Sequence, residues 1–159
     1  MTQPKYAKVD PGDYERLRKS EWFVKKGRNC FYAFRRLATG KTGNKKLIYM
    51  HREIIEVGDE KMVDHINYDG MDNRSCNLRA ATHSENMCHR KKSSRATHSK
   101  YKGIQWHKDI RKWQVEIRFN KKRMYLGCFR NEIEAAKAYD RGAMKYHGEF
   151  ACLNFPEKG

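Results

Sequence analysis

Asp64, His65, Asn67, Asp72, Asn73, Asn77, Glu85 and Asn86 crowd oxygen donors and an imidazole into about two dozen residues of this chain. Residue types of this kind suit metal-assisted cleavage of a phosphodiester. An imidazole supplies a base near pH 7, and a bound cation stabilises charge on the phosphate and the leaving oxygen. Carboxylate and amide oxygens are hard ligands, which favour Mg²⁺ or Mn²⁺ over Zn²⁺, and one divalent ion is the economical expectation. A zinc site built from Cys76, His83, Cys88 and His89 fits no common ligand spacing.

Three elements must position these groups. Lys61-Met62-Val63-Asp64 reads as a strand, and Asn67, Asp69 and Gly70 are turn formers that break it. The break matters, because neighbours on a flat strand point to opposite faces and Asp64 and His65 could not otherwise share a site. Thr82-His83-Ser84-Glu85 has the spacing of a capping box opening a helix over His83 to Arg90, with Asn86 in its first turns. Strand, loop and helix together can gather Asp64, His65 and Asn86 around one volume.

Asp64-His65-Ile66-Asn67, Asp72-Asn73-Arg74, Asn77-Leu78-Arg79 and Ser84-Glu85-Asn86 resemble the HNH endonucleases of phage and intron-borne homing elements. The resemblance implies that His65 is the general base, that Asn77 braces the loop through backbone hydrogen bonds, and that Asp64 and Asn86 hold the metal. Asn86 stands where many such proteins carry His. It further implies a homing or mobile-element enzyme that nicks one strand, in the cytoplasm of a bacterial host if the gene is phage-borne.

A second pattern begins at Tyr101. Ile104 and Trp106 alternate with Gln105 and His107; Trp113, Val115, Ile117 and Phe119 alternate with Gln114, Glu116 and Arg118; Met124 and Leu126 alternate with Arg123 and Tyr125. Period-two alternation predicts three strands, each with an apolar and a polar face. Asn131-Glu132-Ile133-Glu134 opens a helix whose stripe of Ile133, Ala136, Tyr139, Ala143 and Tyr146 can cover the apolar side, and Gly148 ends it. The uncovered face then carries Gln105, His107, Arg111, Glu116, Arg118, Arg123 and Tyr125. Such a sheet can read base edges in the major groove.

Tyr101-Lys102-Gly103-Ile104, Trp113 to Arg118, Tyr125 to Phe129, Glu134 to Asp140 and Leu153-Asn154-Phe155-Pro156 closely resemble the ethylene-response-factor (APETALA-type) DNA-binding domain of plants. That resemblance implies base or backbone contacts for Glu116, Arg118, Arg123 and Tyr125. Gln105 and His107 stand where plant members commonly carry arginines, and Tyr125 where they often have Trp, so the plant target sequence does not transfer.

The expected architecture is therefore α+β. A nuclease domain covers 1–89, with a ββα-metal core at about 60–89, and a three-stranded antiparallel sheet packed on one helix covers 101–156. Residues 90–100 read as a basic linker, in which Lys91 and Lys92 are placed against phosphates. The 159 residues carry a formal net charge of +16, spread as +5 over 1–89, +5 over 90–100 and +6 over 101–159. A charge of that sign and spread points to double-stranded DNA as partner. Basic residues interleaved with Trp, Tyr and Phe disfavour a membrane surface. No apolar run is long enough to span a bilayer or serve as a secretory signal. Five cysteines without a C-x-x-C pair suit reduced thiols. The chain is expected to be intracellular and, with one expected cutting site, monomeric with no obligatory protein partner. Residues 1–60 read as scaffold, with strand-like runs at Tyr6 to Val9, Trp22 to Lys25, Phe31 to Arg35 and Leu47 to Met50 and a helix near Gly12 to Lys19. A metal-dependent, site-specific DNA endonuclease is the first expectation, and a transcription regulator using only the second sheet is its alternative.

Overall fold

The computed structural model describes residues 5–27, 30–39, 44–92 and 99–156. The chain divides into two compact units, Met1–His83 and Ser84–Gly159. Among the described residues no helix is long and apolar enough to cross a membrane.

The first unit opens with α1 (Pro11–Leu17), where Pro11 sits in the first turn and so gives up no helical hydrogen bond. An antiparallel meander follows: β1 (Phe23–Lys26), β2 (Phe31–Thr39) and β3 (Asn44–Tyr49). β3 runs directly into the short α2 (Met50–Ile54). Leu17, Ala33, Met50 and Met71 form the core, with Ala7, Val9, Trp22, Phe31 and Ile54 packed around it. The run Tyr6 to Val9, expected as a strand, contributes a single bridge from Lys8 to Asp72. β4 (Met62–His65) pairs antiparallel with β5 (Leu78–Ala81), which leads to α3 (His83–His89). α3 spans the division between the units, with all but its first residue in the second.

In the second unit β6 (Ile104–His107), β7 (Lys112–Phe119) and β8 (Lys122–Phe129) form an antiparallel sheet, and α4 (Glu132–His147) packs across it. Asn120 and Lys121, at φ 48° and 64°, turn β7 into β8. Two positive-φ residues twist the connection in the sense that the strands themselves twist. The Asn131 side chain accepts from the Ile133 and Glu134 amides at 2.8 and 3.2 Å, satisfying two donors that the start of α4 leaves open. Ile104, Val115 and Ile117 meet Ala135, Ala136, Tyr139 and Ala143 in the core. Small residues on α4 let the helix lie close: a Cβ on Gly142 would stand 2.4 Å from Leu126, and one on Gly103, at φ +76°, 1.8 Å from the Tyr139 ring. The α+β class and the sheet packed on a helix agree with the sequence analysis. The ββα-metal module over 60–89 is not shown, since its strands belong to the first unit and its helix, from Ser84 on, to the second.

Candidate nucleic-acid interface

With α4 on one side, the other side of β6–β7–β8 faces solvent. Arg118 lies opposite Arg123, Glu116 opposite Tyr125, and Gln114 opposite both Gln105 and Cys128. These neighbours share one face because alternate residues of a strand do. Gln105, Arg118, Arg123 and Tyr125 are exposed, Tyr125 by 63%. Glu116 is held in place by its neighbours: the Gln114 amide donates to it at 2.7 Å, and Arg123 stands 3.8 Å from its other oxygen. A carboxylate between two polar groups presents an oriented acceptor in an otherwise basic field.

A bulge decides what stands beside Tyr125. Val115 pairs with Gly127 but Glu116 pairs with Tyr125, so Leu126 is the extra residue on β8. Leu126 turns into the core, and Tyr125 and Cys128 come to one face, where a hydrogen bond to the Cys128 thiol raises the phenol's pKa. His107 and Arg111 sit at the β6–β7 end. His107 Nδ1 is 3.9 Å from Asp109, and Arg111 is exposed in the turn at φ 48°. They flank the central group formed by Gln114, Glu116, Arg118, Arg123 and Tyr125.

The back of this unit is stitched by polar groups that alternation does not reveal. Asp140 on α4, buried, accepts from the Asn154 amide at 2.8 Å, the Asn154 side chain at 3.1 Å and the Phe155 amide at 2.9 Å. Asn154 in turn accepts from the Lys102 amide at 2.6 Å and donates to the Lys102 carbonyl at 3.2 Å. Helix, tail and the entry to β6 are thus one clasp. Lys102 Nζ donates to the carbonyls of Cys88 and Arg90 at 2.6 and 2.7 Å, near the end of α3 where helical carbonyls lack partners. Burial lowers its pKa.

Lys92 makes the same kind of tie, donating to the carbonyls of Ser99 and Tyr101 at 2.8 and 2.6 Å. The Lys92 ammonium, expected at phosphates, is here engaged with the backbone. Lys91 is exposed. Of the expected linker, residues 93–98 lie outside the described residues. The division at His83 and Ser84 precedes it, and the ties of Lys92 and Lys102 join 88–92 to the second unit.

The groups singled out between residues 64 and 86 are built into a different arrangement. β4 ends at His65 as expected, but the Asp64 carboxylate, buried, receives the half-buried Arg79 through Nε at 3.0 Å and Nη2 at 2.8 Å. A guanidinium against that oxygen cancels the charge that would draw a divalent cation. His65 Nε2 lies 3.4 Å from the Asn73 side-chain oxygen, and burial lowers the imidazole's pKa. Asn77 accepts from the Asn67 amide at 2.9 Å and donates to the Asp72 carbonyl at 2.7 Å, which braces the loop. Asp72, gripped by Arg74 Nε at 2.8 Å and Nη2 at 2.7 Å, has its pKa lowered to about 2. Asn86 sits on α3 in the second unit, so the expected trio is divided between units. Among the described residues no three His, Cys, Asp or Glu converge as a metal site.

No family model matches the chain. Curated proteins do match part of it. APETALA2-like protein 2 of Oryza sativa is 44% identical over 59 residues, 36% of this chain and 13% of that protein. The ethylene-responsive transcription factor WRI1 of Arabidopsis thaliana is 41% identical over 59 residues, 36% of this chain and 14% of that protein. Dehydration-responsive element-binding protein 2E of the same plant is 45% identical over 56 residues, 29% of this chain and 23% of that protein. Over that stretch the chain is similar to APETALA2-like and ethylene-responsive proteins of plants. It spans about one seventh of the length of the first two relatives.

These names correct the first expectation. WRI1 is called a transcription factor and protein 2E an element-binding protein, and none of the three is called a nuclease, so the endonuclease reading gives way to its alternative. The physical reason is in the loop: the Asp, Asn and His types that suit a metal site also suit a tight polar turn, and here ion pairs and backbone amides engage them. Asp140, Asn154 and Lys102 were missed as a group because their partners lie 12 to 52 residues apart. The signal that pointed to them was that each lies in a stretch resembling the plant domain, at Tyr101-Lys102-Gly103-Ile104, Glu134 to Asp140 and Leu153-Asn154-Phe155-Pro156.

Proposed function

We propose that this protein binds duplex DNA through the exposed face of β6–β7–β8 and regulates transcription by occupying its site. The carrying observation is that face itself, where Arg118, Arg123, Tyr125 and an oriented Glu116 stand together on a rigid sheet backed by α4. The relatives' names support the reading, as does the net charge of +16. Arginine can pair with guanine O6 and N7, and a carboxylate can accept from the cytosine amino group. One face therefore offers complementary probes for the two bases of a G·C pair. Tyr125 adds a flat apolar surface with a hydroxyl tip.

The test is selection from a random duplex library with the full chain, followed by affinity measurement on the enriched site and on random DNA. Enrichment of one short motif, lost in the Arg118→Ala/Arg123→Ala double variant, is the expected result. A library that stays random through successive rounds while the protein still binds DNA would reject site-specific regulation.

A further inference from the structure

The first unit carries basic residues that this reading leaves unused. β1, β2 and β3 contain Lys25, Lys26, Arg35, Arg36, Lys45 and Lys46 and not one Asp or Glu. Register sorts them. On one face of the meander Lys25 lies beside Tyr32, Phe34 between Phe23 and Tyr49, Arg36 beside Leu47, and Lys45 beside Ala38. The opposite face is already engaged, for Phe31 and Ala33 join the core with Leu17 and Met50, and Arg35 pairs with Glu53 of α2.

The first face is covered where Tyr32 and Tyr49 meet His51 and His65, and open along its cations. Lys25, Arg36 and Lys45 are exposed, while Phe34 is buried between Phe23 and Tyr49 at ring distances of 5.8 and 6.4 Å. Arg36 lies over the Phe23 ring at 5.1 Å, so its guanidinium is held on an aromatic floor. Such support lowers the entropy lost when a charged side chain engages a partner. A hollow that takes in Phe23, Arg36, Ala38 and Lys45 of this face, with Arg35 and Glu21 also at its wall, adjoins it. Along β2 the rows of Lys25 and Arg36 are four residues apart, about 13 Å, and those of Arg36 and Lys45 two residues, about 7 Å.

We infer that this face is a second contact for duplex DNA, gripping the phosphate backbone without reading sequence. A duplex carries one charge per roughly 1.7 Å of its axis, so cations separated by about 7 and 13 Å can each find a phosphate of their own. The aromatic rings are too covered to stack on splayed bases, which favours a duplex over a single strand. The inference rests on the reading of the second unit as a duplex binder, and it assigns the first unit the sequence-independent share of affinity.

The experiment compares the full chain with the variant Lys25→Gln/Arg36→Gln/Lys45→Gln, which keeps the hydrocarbon stems, after thermal melting has shown both to be folded. Binding to random duplex and to the selected site is followed by fluorescence anisotropy across a KCl series. The variant should lose affinity for both duplexes by the same factor, and the slope of log K against log salt should fall by about 2 to 3, near 0.9 per phosphate. Lys25→Ala/Arg36→Ala/Lys45→Ala should behave alike. An unchanged slope in either folded variant, with wild type still selecting its site, overturns this inference alone. Wild type that binds random duplex without selecting, and weakens in the variant, supports the inference while rejecting the regulator reading. A wild-type chain that binds no duplex overturns both.

Discussion

Arg118 and Arg123 face each other across β7 and β8, and only Arg123 stands near a carboxylate. That asymmetry separates their expected contributions. Arg118→Ala should cost roughly 1 to 3 kcal/mol on the selected site, with little change on random duplex. Arg123→Ala should cost a similar amount and in addition release Glu116, so specificity at the neighbouring base should relax as well. Competition against single-base variants of the site measures both, and equal losses on selected and random DNA would reduce the arginines to phosphate contacts. Asp140 tests stability instead of recognition. Its carboxylate receives three donors from Asn154 and Phe155, and Asp140→Ala leaves the two backbone donors without an acceptor, for a cost of roughly 3 kcal/mol read as a lower urea midpoint of the second unit. The polar face of β6–β7–β8 was legible in the sequence because alternation places it. The clasp was not, because hydrogen bonds between residues far apart in the chain leave no periodicity.

At the scale of elements, short strands and caps were visible and their boundaries moved by a residue or two. The helix expected near Gly12 to Lys19 is α1 at Pro11–Leu17, and the Asn131 cap starts α4 where its spacing says. Two features escaped. The bulge at Leu126 breaks strict alternation on β8 and brings Cys128 beside Tyr125, and β2 runs on to Thr39, past the expected Arg35. In the first unit, α2 holds His51 between the rings of Tyr49, stacked at 5.4 Å, and His65, edge-on at 5.1 Å. Burial first, then the charges of His65 and Arg52, push the His51 pKa from its ordinary 6.5 down to about 3. A histidine with a lowered folded pKa binds its proton more readily when the chain is unfolded, so stability is fully present above pH 6.5 and declines as pH falls toward 3. His51→Phe should flatten that decline between pH 6.5 and 4 in urea titrations. Asp72, lowered to about 2 by Arg74, adds a separate loss only below about pH 4. A His51→Phe chain that loses stability over pH 6.5 to 4 as steeply as wild type would mean the imidazole is already charged in the fold.

For the whole molecule, the sign of the charge was legible from composition alone and its division of labour was not. Residues 90–100 look like a linker because they are basic and lack aliphatic bulk, yet Lys92 and Lys102 donate to backbone carbonyls that bind 88–92 to the second unit. Ser84–Gly159 accordingly has a core of its own around Val115, Ile117 and Tyr139, and also the clasp and the reading face. A piece comprising 84–159 should fold by itself and keep the motif preference of the full chain. It should nonetheless bind more weakly, with a shallower salt dependence, because the cations of the β1–β2–β3 face are gone. A piece beginning at residue 101 should be less stable than one beginning at 84, since Lys102 would lose the Cys88 and Arg90 carbonyls that surround its ammonium. The comparison is made by selecting motifs with each piece and titrating KCl against the common site. If 84–159 selects a different motif from the full chain, the first unit reads sequence as well, and the assignment of specificity to one sheet fails.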